Sequence, residues 1–87
     1  MRDRPGMLII ATRCLNDLAI IGKALASIEF VPVRVEQMFM RDCLQMVGFS
    51  KDFDKIEPGQ IMPEYTLVIR RDRDGQYKSA VVERIKP

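Results

Sequence analysis

The chain contains no histidine. That removes the commonest general base at neutral pH. A Ser-His-Asp triad and a Cys-His dyad are excluded with it. Cysteine is scarce, with only Cys14 and Cys43 present. Two thiols without an imidazole cannot close a structural zinc site within one chain unless carboxylates complete it. Both stand in apolar stretches, where a free thiol acts as a small hydrophobe. Glycine is scattered at positions 6, 22, 48, 59 and 75, so no glycine-rich loop gathers backbone amides around a phosphate. Ser27, Ser50 and Ser79 lie in no nucleophile-elbow pattern. Asp52, Asp54 and Glu57 are close in sequence, but a solvated loop is a poor setting for general acid–base work. These absences together give the expectation of a non-enzymatic protein with no cofactor and no metal.

Long uncharged apolar runs are also missing. None approaches the 18 residues that a membrane-spanning helix needs. Near the N-terminus, Arg13, Asp17 and Lys23 interrupt the apolar region that a signal peptide keeps uncharged. The expected setting is the cytoplasm. Charge of one sign is lacking as well. The chain carries 14 basic and 12 acidic residues, for a net charge of +2. That is far from the footprint of a dedicated nucleic-acid binder.

What is present is a single domain of 87 residues that is 47% hydrophobic. A chain this short buries only about 60–65% of the surface it would expose unfolded. Some of its apolar side chains must therefore face outward, and a large outward patch marks a partner.

Residues 1–6, "MRDRPG", read as a loose lead-in ending in Pro-Gly. "MLIIAT" (7–12) is a short β-branched run of strand length. Cys14, Leu18, Ile21, Leu25 and Ile28 fall at spacings of 4, 3, 4 and 3, which predicts a helix over about 15–28. Thr12 or Asn16 would cap it. "EFVPVRV" (29–35) reads as a strand that Pro32 confines to a sheet edge, with Pro32 as the first residue of a helix being the competing reading. "VEQMFMRDCLQMVGF" (35–49) predicts a second helix ended by Gly48 in a left-handed conformation. Its apolar arc is wider than one buried face requires. Residues 50–63 form a long charged connection bounded by Pro58-Gly59 and Pro63.

"YTLVIRRDRDGQYKSAVVERI" (65–85) carries the clearest local signal. Tyr65–Arg71 and Gln76–Ile85 are β-rich runs on either side of "DRDG", which suits a type I turn with Gly75 at positive φ. That register pairs Asp72 with Gln76, Ile69 with Ser79 and Leu67 with Val81. "DRDG" resembles the middle of a calcium loop, yet Arg70 and Val81 stand where further acids are wanted. Arg70, Arg71, Arg73 and Lys78 make the hairpin a candidate nucleic-acid contact. Against that, Asp72, Asp74, Glu64 and Glu83 are interleaved with them. Arg70 and Arg71 also point to opposite faces.

The sequence therefore predicts an α+β two-layer sandwich in β-α-β-α-β-β order. Its sheet would be mixed, with a C-terminal antiparallel hairpin and both helices on one face. Methionine is concentrated in the second helix and the loop after it, where flexible thioethers suit an adaptable surface. The leading functional expectation is a protein-interaction module, homodimeric, that binds through Met38, Met40, Leu44 and Val47. A weak nucleic-acid-binding regulator using the basic hairpin is the alternative.

Overall fold

The computed structural model describes residues 2–11, 17–38 and 41–86. Cys14, Phe39, Met40 and both expected helix caps, Thr12 and Asn16, lie outside them. The element order is β1 (Pro5–Ala11), α1 (Leu18–Ser27), β2 (Val31–Met38), β3 (Cys43–Phe49), β4 (Glu64–Arg71) and β5 (Tyr77–Lys86). The strands form one sheet in the order β2-β3-β1-β4-β5. β1 runs antiparallel to β3 and parallel to β4, while β2–β3 and β4–β5 are antiparallel pairs. β1 and β2 are thus parallel to each other with β3 inserted between them, a split βαβ unit.

The expected two-helix sandwich is overturned. Among the described residues there is one short helix, and the segment expected as the second helix is two strands. β2 takes up Val35–Met38 and β3 takes up Cys43–Phe49. The reason lies in β3's place in the sheet. It sits between β2 and β1, so its helix-facing side chains, Leu44 and Met46, and its opposite ones, Cys43 and Val47, are all at least partly shielded. With apolar side chains both on the face under α1 and on the face that no described helix covers, the strand carries no period-two signature. Gly48 ends no helix. It lies in β3 because a Cβ there would collide with the Val31 carbonyl oxygen and approach the Phe30 ring to 2.8 Å. Pro32 is at the edge of the sheet, as its missing N–H requires, next to a register shift between Pro32 and Arg34.

β1 alternates cleanly, burying Gly6, Leu8 and Ile10 on the helix side. α1 opens with Asp17 as cap, its carboxylate accepting the Ile20 N–H at 3.2 Å. Ile21, Ala24 and Ile28 are buried, whereas Leu18, the expected first member of the stripe among the described residues, is 69% exposed. The core joins Leu8, Ile10, Ile21, Ile28, Met46, Phe53 and Tyr65. Tyr77 Oη donates to Ser27 Oγ at 3.4 Å, fastening the end of α1 to β5.

The 50–63 connection passes the start of β1, because the strands it joins flank β1. It is tied down along its length. Phe53 and Pro63 are fully buried. The Ser50, Ile56 and Met7 amides donate to Arg4, Asp3 and Pro63 carbonyls at 3.2, 3.0 and 3.0 Å. Arg4 Nη1 donates to the Phe53 carbonyl at 2.6 Å. β1 begins at Pro5, inside the expected lead-in.

The C-terminal hairpin has its expected turn. Gly75 has φ +80°, and the Asp72 carboxylate accepts the Asp74 and Gln76 amides, both at 2.9 Å. The Asp72 amide donates to the Gln76 carbonyl at 2.9 Å. Beyond the turn the register differs by one. Leu67 pairs with Val82 and Ile69 with Ala80, because Lys78 is left unpaired between Arg70↔Ser79 and Arg71↔Tyr77. This bulge decides which β5 side chains face α1: Val82 and Ala80 do, and Val81 does not.

Candidate interaction surface

α1 covers one face of the sheet. The opposite face carries Met7 and Ile9 from β1, Val47 and Phe49 from β3, Val68 from β4 and Val81 from β5. These follow from the pairings Met7↔Val47, Phe49↔Pro5 and Val68↔Val81 and from the alternation of each strand. All are half-buried, and no helix of the described residues lies over them. Towards the β2–β3 turn this face holds a cavity of about 310 Å³ lined by Ile9, Ala11, Arg41, Asp42, Cys43 and Thr66. Cys43 is a free, buried thiol there.

The sheet has two edges. The β5 edge is charged, bulged at two places, and partly tied back by the Arg84–Asp54 ion pair at 2.8 Å. β2 is the other. From Val31 to Gln37 every residue is exposed. Val31, Val33 and Val35 are 50, 67 and 51% exposed. From Arg34 to Met38 the strand keeps unbroken register with β3, and among the described residues no strand lies on its outer side, so its outer backbone groups form a regular ladder open to a further strand. Arg34 and Glu36 lie on the uncovered side, opposite Val47 and Gln45, and pair with each other at 2.9 Å.

The four expected interaction residues do not share one surface. Leu44 packs against the core under α1. Val47 is on the opposite face. Met38 ends β2, and Met40 lies outside the described residues. The valines of β2 were the missed residues. The signal for them was there, since Val31, Val33 and Val35 form a β-branched run around an edge-marking proline.

Of the hairpin residues, Arg71 Nη1 is held on the Gly75 carbonyl at 2.9 Å. Arg70, Arg73 and Lys78 are exposed. Arg70 pairs with Ser79 on the uncovered face, Arg73 is at the tip, and Lys78 is the bulged residue. Among the described residues no group of three or more His, Cys, Asp or Glu could hold a metal ion. Nor is any helix among them long and apolar enough to cross a membrane.

Compared with protein-family models, with curated proteins and with solved structures, the chain matches none.

Proposed function

We propose that this chain is a non-enzymatic protein-interaction module that works as a homodimer. The observation that carries this reading is β2, an exposed edge strand bearing three solvent-facing valines. A row of unpaired backbone donors and acceptors beside apolar side chains is a template for another strand. The uncovered apolar face beside it supports the same reading. Among the described residues β2 and β3 stand where the Met-rich helix was expected, and the docking surface moves to β2. The free Cys43 thiol supports a reducing compartment such as the cytoplasm. Light scattering across a concentration series tests the proposal. It should give twice the mass of one chain, and a single-chain mass at every concentration would overturn it.

A second reading keeps the basic hairpin. Arg70, Arg73 and Lys78 are exposed with no acidic partner among the described residues, a condition for phosphate contact. A gel shift at low salt that disappears in R70E/R73E/K78E would support it, and no shift at low salt would dispose of it.

A further inference from the structure

We infer that two copies of this chain join edge to edge, β2 against β2, antiparallel about a two-fold axis at Val35. This rests on the proposal that the protein self-associates, and it names the register.

A two-fold axis perpendicular to a continuous sheet passes through a residue, because opposed residues share a face. The choice is therefore which residue of β2 sits on the axis. Centred on Val35, Arg34 of each copy lies opposite Glu36 of the other. Directly opposed side chains have Cβ atoms about 4.5–5.5 Å apart, and Arg34 and Glu36 already meet within one chain at 2.9 Å. Four alternating charges then close into a ring on the uncovered face. On the helix side the two exposed Val35 side chains meet at the axis, each 51% exposed in the single chain.

Other registers lose this. With the axis on Arg34 or on Glu36, that charge faces its own copy, which is repulsive. With the axis on Val33, the register shift between Pro32 and Arg34 falls at the centre of the ladder and breaks it. With the axis on Gln37, Glu36 faces Met38. Only the Val35 register sets both charges against their opposites. It also keeps Pro32, which has no N–H to offer and lies beyond the register shift at Val33, out of the centre of the ladder. The product is a ten-stranded sheet in which the two uncovered faces become one surface.

Two measurements test it. The first is mild oxidation of V35C, Q37C and wild type, read on a non-reducing gel. Antiparallel neighbours have Cα atoms about 4.5–5.5 Å apart, within disulfide reach. V35C should give a covalent dimer, while Q37C, whose symmetry mate is displaced by about 14 Å along the strand, and wild type should not. The second is light scattering of R34E, E36R and R34E/E36R. Each single change should raise the dissociation constant about tenfold, and the double swap should return it to the wild-type value. If the protein is dimeric but V35C links no faster than Q37C and the swap restores nothing, the register is wrong and self-association stands. If light scattering finds only single chains, both proposals fall.

Discussion

The Ser50 hydroxyl donates to the Ile28 carbonyl oxygen at 2.6 Å, joining residues 22 positions apart at a site closed to solvent. Ser50 Oγ also accepts the Asp52 amide at 3.1 Å, and the Ser50 amide donates to the Arg4 carbonyl at 3.2 Å. One small residue, through its hydroxyl and its amide, therefore joins the end of α1, the end of β3 and the start of β1.

Replacing Ser50 with alanine leaves the Ile28 carbonyl buried without that donor. An orphaned buried acceptor costs about 1–3 kcal/mol. S50A should lose that much stability in urea titration, with an unchanged m-value. A loss under 0.5 kcal/mol (roughly the limit of a surface change) would show that the bond is replaceable.

Phe53 and Tyr65 stack with centroids 4.3 Å apart and planes 6° from parallel, and Phe30 meets Phe53 edge-on at 6.0 Å. Gly6 makes room for the stack. A Cβ on it would lie 2.6 Å from a Phe53 ring carbon and 2.9 Å from Tyr65. G6A should therefore destabilise by about 1–3 kcal/mol through overpacking. Its near-ultraviolet circular dichroism should change, because the ring pair must shift.

Glu29 sits at φ +52° directly after α1. Its amide donates to the Ala26 carbonyl and that of Phe30 to Leu25, both at 3.0 Å, which is a Schellman ending with glutamate where glycine is favoured. E29G should raise the unfolding free energy by about 0.5–1 kcal/mol, the relief of a left-handed non-glycine residue less the added freedom of the unfolded chain. Gly22 presents the reverse case, since nothing lies within 4 Å of a Cβ placed there, mid-helix. G22A should stabilise by about 0.5–1 kcal/mol. Thermal melts of both variants check the pair.

Burial holds the Tyr65 hydroxyl above its ordinary pKa, with the Asp54 amide bond and the Asp54 and Arg84 charges as smaller influences. Its hydroxyl oxygen accepts the Asp54 amide at 2.8 Å. The folded state therefore keeps this proton where the unfolded chain releases it. The stability Tyr65 contributes is full below the ordinary tyrosine range, near pH 10, and is lost as pH rises through the higher folded value. Wild-type stability should fall above about pH 10, and Y65F should flatten that fall. Equal alkaline slopes for the two proteins would refute it.

The parts of the fold legible in the sequence were those set by near neighbours. "DRDG" specified its turn because the Asp72 carboxylate and Gly75 act within four residues. Pro32 marked an edge because its missing N–H is a local fact. The hairpin register was readable at Asp72 and Gln76 and lost at Lys78. A bulge is chosen by which of Val81 and Val82 the distant α1 face accepts, and no spacing inside the hairpin encodes that. The interaction surface was half legible. Excess apolar content around Val35–Val47 was visible, but its placement assumed helical periodicity, which put Leu44 and Val47 together where the sheet sets them apart.

By itself, the sequence determined what is local and what is chemical. It set the turn at Asp72–Gly75, the strand character of residues 7–11 and 65–71, the α1 stripe through Ile21 and Ile28, and the lack of any imidazole. Tertiary structure decided the rest. Residues 43–49 are strand because β1 and β2 flank them and satisfy their backbone on both sides, a long-range gain that outweighs the helix propensity of leucine, glutamine and methionine. The same pairing turned β2 outward and left the valines of an edge strand, rather than the methionines of a helix, facing the solvent.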